Sequence, residues 1–217
     1  AKGATPFGYL LTTAVPPSHG DAWLEQFTQG LAADQKAFGV MLLGGDSSGT
    51  PGPATLTLAL IGKVAQGRAV LRSTAQEGDQ IYVSGTLGDS ALGLAVRKGE
   101  IGATLSDAER DYLIDRYRLP RPRVALGPRL AGIAHAMIDI SDGLLSDLEH
   151  VCAASRLRGV VHQPRLPLSP AAHAAIAANP RLNIAVTGGG DDYELLFTAS
   201  VAAAEAIAQV SAAVGIP

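Results

Sequence analysis

Three short acidic segments rich in glycine, each closing an apolar run, constrain this chain more than any other feature. They are Gly44-Gly45-Asp46-Ser47-Ser48, Asp139-Ile140-Ser141-Asp142-Gly143 and Gly188-Gly189-Gly190-Asp191-Asp192-Tyr193-Glu194. Glycine allows a backbone to approach a ligand closely, and the crevice beyond the carboxyl ends of strands is where open α/β sheets bind their ligands. Three such segments favour a layered α/β protein whose strand ends gather around a ligand. Carboxylate oxygens suit Mg2+, which takes one or two of them and leaves its other positions to water and phosphate. A magnesium–phosphate site is the expectation they set.

Each segment also has a plainer reading. Asp139 closes a strand and Asp142 opens a helix, so Ser141 is expected at the N-cap, where it serves equally as a simple cap or as a phosphate ligand beside free amides. Asp46 fits an Asx-turn as well as a ligand site. Asp192 and Glu194 are expected to be solvated residues leading into a strand, and Tyr193 to be a core or interface aromatic.

Around these segments the pattern alternates between strands and helices. Gly8–Val15, Val40–Leu43 and Thr55–Val64 have strand composition, and Asp21–Phe38 carries Trp23, Leu24, Phe27, Leu31 and Ala32 at helical spacing. Beyond Gln66, strands are expected at Arg68–Arg72, Gln80–Ser84, Ala136–Ile140, Gly159–His162, Asn183–Val186 and Glu194–Thr198. Helices are expected through Val96 from the Gly85–Asp89 turn, and over Ser106–Arg118, Val124–Ile133, Asp142–Ser155, Ser169–Ala178 and Val201–Val214. In the Asp142–Ser155 helix, Leu144, Leu145, Leu148, Val151 and Cys152 are expected to face inward. The reading is a two-domain α/β chain of mixed α+β layers, divided into 1–65 and 66–217.

Composition narrows the function classes. Of 217 residues, 47% are hydrophobic and 17% charged, which excludes a disordered chain. A formal charge of −3 argues against a generic nucleic-acid or membrane-surface binder, since those concentrate Lys and Arg. Arg116, Arg118, Arg121 and Arg123 cluster around Pro120 and Pro122 and read as a solvated linker, whereas Arg72, ending an expected strand, is the better phosphate candidate. The lone Cys152 reads as a small core hydrophobe in a reducing, cytoplasmic setting. The histidines show no metal-ligand spacing, and neither a P-loop nor a nucleophile elbow occurs. Ala1 and the Val214–Pro217 tail read as cut ends, so an incomplete chain is expected.

Taken in order, the Gly44–Ser48 segment, Leu71-Arg72-Ser73 leading to Gly78–Ala91, Asp139–Leu144 and Gly189–Leu195 resemble the thiamine-monophosphate kinase family. That family belongs with the aminoimidazole ribonucleotide and selenophosphate synthetases, which bind ATP without a P-loop. The resemblance implies an enzyme that uses ATP and Mg2+ to convert thiamine monophosphate to thiamine diphosphate, with no side chain acting as general acid or base. It implies Gly45, Asp46, Arg72 and Ser141 at the nucleotide, Asp46, Asp139 and Asp142 at magnesium, and Asp191 at the substrate. It also implies a homodimer formed through the amino-terminal strands, an active site between the domains, and further metal ligands in a segment preceding Ala1. The chain departs from the family pattern in two places: Ser47-Ser48-Gly49-Thr50 stands where two threonines and an arginine are usual, and Asp191 where a glutamate is usual. The alternatives are another ATP-using member of the superfamily, or a non-catalytic relative that binds nucleotide or metabolite.

Overall fold

The computed structural model describes residues 1–217, which form two units: residues 4–66, and residues 67–217 with 1–3. The protein is of the mixed α/β class. In the smaller unit, strand β1 (Thr5–Val15) is followed by helix α1 (Asp21–Phe38), strand β2 (Met41–Gly49) and strand β3 (Thr55–Lys63), in the sheet order β2-β1-β3. β1 pairs parallel with β2 across the helical connection and antiparallel with β3. Trp23, Phe27 and Leu31 form the least exposed stripe of α1, and Trp23 stacks on Phe27 with ring centroids 5.3 Å apart.

The Gly44–Ser48 segment is therefore not a loop. It continues β2 after a one-residue irregularity, with Asp46 opposite Thr12 and Thr13 Oγ1 2.8 Å from Ser47 Oγ. The edge that β1 offers outweighs the turn propensity of Gly-Gly-Asp-Ser. Gly45 is required by proximity, because a Cβ there would lie 1.7 Å from the Leu11 carbonyl oxygen. Gly45→Ala is expected to force β2 off β1 and cost about 1–3 kcal/mol or more. Thermal unfolding checks this, and an unchanged melting temperature would mean that β2 does not need the close approach.

The larger unit is built on an antiparallel sheet, β4-β6-β5, with β4 at Gln80–Val83, β5 at Ala136–Asp139 and β6 at Leu195–Ala199. Every residue of the central β6 is buried, and its alternation serves two cores. Leu195, Phe197 and Ala199 meet Leu126, Leu130, Met137 and Ile207, while Leu196 meets Leu87, Ile140, Leu144, Leu148 and Val186. A third cluster joins Leu92 and Leu113 to Ala171, Ala172 and Ala175. The helices are α2 (Asp89–Arg97), α3 (Asp107–Arg118), α4 (Leu144–Ser155), α5 (Pro170–Ala178), α6 (Asn183–Gly188) and α7 (Ala204–Val214). α3 starts with a complete capping box between Ser106 and Glu109.

Four sequence expectations fail in this unit. Residues 68–72 form no strand; a single bond, Met137 N–H to the Leu71 carbonyl at 3.3 Å, ties them to β5. Gly159–His162 forms no strand, and Val160 is mostly exposed. Asn183–Val186 is helical, because the preceding Pro180–Leu182 turn leads straight into α6 and buries Val186 while exposing Ile184. Over Val124–Ile133 only Gly127–Leu130 is helical, as a 3-10 turn. In α4, Leu144, Leu148 and Val151 point inward as expected, but Leu145 faces out and Asp147 takes an inward position. No helix is long and apolar enough to cross a membrane.

Candidate functional site

β5 and β6 run antiparallel, so the end of β5 and the start of β6 lie at the same edge of the sheet. There the segment after β5 joins the segment before β6 through the backbone. The Ile140 N–H donates to the Glu194 carbonyl, the Tyr193 N–H to Ile140, and the Asp191 N–H to Ser141, each at 2.9 Å. Gly190 passes so near that a Cβ would sit 2.2 Å from the Ser141 carbonyl oxygen. Two of the three acidic segments are thus one structure.

Asp139 is half-buried and Asp142 and Asp191 are exposed, all near the Tyr193 phenol. Burial, then the carboxylates of Asp191, Asp139 and Asp142, push the Tyr193 hydroxyl above its ordinary range; that hydroxyl donates to Asp191 Oδ1 at 3.2 Å. Asp191 and Tyr193 have φ of 66° and 51°. Left-handed backbone is uncommon outside glycine, and aspartate is among the residues that tolerate it best.

Ser141 is not an N-cap. Helix α4 begins at Leu144 with Gly143 as its cap, at φ 108°. Asp147 Oδ2 accepts the Ser141 and Asp142 amides, both at 3.0 Å, and so holds these residues outside the helix. The Ser141 hydroxyl lies 3.3 Å from Asp142 Oδ1. Arg72 is exposed in a turn, next to the residue that bonds to β5 at Met137, and does not end a strand. Gly45 and Asp46 sit in β2 of the other unit.

Asp192 and Glu194 are far from solvated, with 2% and 0% exposure. Glu194 accepts from Ser84 Oγ at 2.5 Å, Arg116 Nη2 at 3.0 Å and Arg123 Nε at 2.6 Å, and Arg123 Nη2 closes the fork. The expected solvated arginine linker is therefore only half right. Arg116 and Arg123 turn inward to neutralise a buried carboxylate, while Arg118 and Arg121 stay exposed. Beside them, Asp89 accepts from Thr86, Tyr112 and Ser169.

Asp192 accepts the Gly88 N–H at 2.7 Å and the Ser90 N–H at 3.2 Å at the start of α2. Burial pushes its carboxyl up to about 6, against the pull of those two amides and with the help of the Asp89 charge. Between that value and the ordinary carboxylate range, the folded protein holds a proton that the unfolded chain has released. Stability from this group therefore rises as pH falls through 6, by about 1 kcal/mol between pH 7 and pH 5. The expected result is a steeper gain in melting temperature over that interval in the wild type than in Asp192→Asn; parallel slopes would refute it.

Comparison with known proteins defines the class first. Residues 1–64 match the amino-terminal domain, and residues 76–213 the carboxy-terminal domain, of the AIR synthase related proteins. Within that class, the chain belongs to the thiamine-monophosphate kinase family. It is 40% identical over 219 residues to thiamine-monophosphate kinase of Caulobacter vibrioides, covering 100% of this chain and 61% of the relative. It superimposes on the crystal structure of thiamine-monophosphate kinase from Stenotrophomonas maltophilia with a TM-score of 0.91 and 36% identity, over 100% of this chain and 68% of that one. It also matches AaThiL complexed with AMPPCP and TMP, with a TM-score of 0.84 and 29% identity over 94% of this chain and 64% of that one. The chain thus spans about three fifths of the length of the curated relative it matches.

Proposed function

We propose that the protein to which this chain belongs transfers the γ-phosphoryl group of ATP to the phosphate of thiamine monophosphate, giving thiamine diphosphate. The observation that carries this reading is the backbone junction between Ile140–Ser141 and Asp191–Tyr193, which brings one candidate metal carboxylate, Asp142, and one candidate substrate carboxylate, Asp191, to the same sheet edge. The relative complexed with AMPPCP and TMP speaks for the same pair of ligands.

The chemistry asks little of any acid or base. A phosphate monoester has a second pKa of about 6, so the attacking oxygen is already largely ionised at neutral pH. The task is to hold two polyanions in line and offset their repulsion. Asp139 and Asp142 on the larger unit, and Asp46 on the smaller, are each assigned to Mg2+, an ion that suits carboxylate oxygens and whose chemistry when bound is charge neutralisation on the phosphates. Gly45, Asp46, Arg72 and the Ser141 hydroxyl are assigned to the nucleotide, Arg72 supplying a bidentate fork. Asp191 is assigned to the thiamine substrate.

We also propose that β2-β1-β3 associates with a second copy. Leu56, Leu58 and Leu60 share one face of β3 and are 43%, 47% and 68% exposed, and Leu42, opposite Tyr9 in the same register as Leu60, is exposed on that face as well. A contiguous apolar sheet face of this kind is characteristic of an interface. Analytical ultracentrifugation is expected to give a dimer.

The test is thiamine diphosphate formation from ATP and thiamine monophosphate by the full-length protein, with and without Mg2+. Metal-dependent product is expected. ATP binding without product would favour the alternative-substrate reading or the non-catalytic one, and it is the non-catalytic one that Ser48-Gly49-Thr50-Pro51 and Asp191 favour.

A further inference from the structure

Asp147 sits in the first turn of α4 with 2% exposure, and no ion pair of the chain includes it. A buried carboxylate without a cation is costly unless hydrogen bonds compensate it. Here both bonds converge on one oxygen: Oδ2 accepts the amides of Ser141 and Asp142, reaching back across the Gly143 cap to residues outside the helix. On its other side the same stretch is held by the segment leading into β6, through Asp191 N–H to Ser141 O and Tyr193 N–H to Ile140 O. Residues 140–142 are thus clamped between α4 and the 191–193 segment, while the Asp142 side chain stays exposed.

We infer that Asp147 is a positioning residue: it fixes the Ser141–Asp142 backbone so that the Asp142 carboxylate and the Ser141 hydroxyl are presented together to a divalent cation and its nucleotide. This rests on the reading of Asp142 as a metal ligand. Two other roles make different predictions. As a mere helix cap, Asp147 would affect stability alone. As a direct ligand, it would share a cation with Asp142 and His150, since ligand atoms of the three lie within 4.8 Å of one another. An asparagine at 147 separates these roles, because its amide oxygen can replace Oδ2 for both N–H donors, while a neutral amide is a poor substitute for a metal-bound carboxylate.

The experiment measures Mn2+ binding by electron paramagnetic resonance in the full-length protein with a non-hydrolysable ATP analogue, alongside melting curves. Asp147→Ala is expected to raise the Mn2+ Kd about 10–100-fold and Asp147→Asn by less than about threefold, as for an outer-shell partner. A Kd unchanged in Asp147→Ala, or an equal loss in Asp147→Asn, overturns the inference. Amide exchange in the wild type provides a readout that needs no variant: slow exchange at Ser141 and Asp142 is expected, and exchange at free-peptide rates overturns it. A wild-type protein that binds no Mn2+ removes the Asp142 reading and the inference with it, whereas wild-type binding indifferent to residue 147 removes the inference alone.

Discussion

Glu194→Ala is expected to destabilise the larger unit by about 3–5 kcal/mol, the cost of breaking a buried ion pair by removing one partner. The carboxylate is fully buried between Arg116 and Arg123 and also anchors Ser84. Its loss leaves the Arg116 guanidinium, itself 4% exposed, facing only Asp89 at 4.0 Å and the Asp192 carbonyl at 3.5 Å. The effect should greatly exceed that of removing an exposed pair such as Arg121–Asp115, where under about 1 kcal/mol is expected. Urea unfolding of both variants makes the comparison. A Glu194→Ala loss no larger than that of Asp115→Ala would mean that the two arginines find water or other acceptors.

Asp142→Asn is expected to leave the fold intact and to remove Mg2+-dependent turnover. Its side chain is exposed, and an asparagine oxygen can keep the 3.3 Å approach to Ser141 Oγ, so melting should change little. What changes is the charge offered to the cation. Metal stabilisation of transferring phosphoryl oxygens is worth several kcal/mol, so losing it should lower turnover by about 100-fold or more. Product formation at saturating ATP, with circular dichroism as control, checks this. Turnover within a few-fold of wild type would exclude Asp142 from the metal site.

Periodicity made much of the fold legible. Helix α1 and strand β3 announce themselves by spacing, and the buried run of β6 follows from five consecutive apolar or small residues. The misread segments are those decided by partners distant in sequence. Gly44–Ser48 looks like a loop until β1 supplies an edge for it. Glu194 looks solvated because the two guanidiniums that neutralise it lie 78 and 71 positions earlier. The helical Asn183–Gly188 is too short for a period to show, and its apolar residues mimic a strand.

At the site, residue types and glycines pointed to the acidic segments, but not to what orders them. Asp147 carried a readable signal: it falls on the inward stripe of α4 between Leu144, Leu148 and Val151, where a charge needs a reason. Asp192 gave no such signal, since its work is done on the amides of Gly88 and Ser90 about a hundred residues away.

The main-chain seam between residues 140–141 and 191–193 fixes backbones and leaves side chains free. Because Asp191 is placed by its own amide and not by its carboxyl, the length of its side chain can vary without displacing Ser141 or Asp142. If Asp191 reaches the acceptor and Asp142 the cation, as proposed, the acceptor end can adjust its reach while the cation end keeps a fixed gauge.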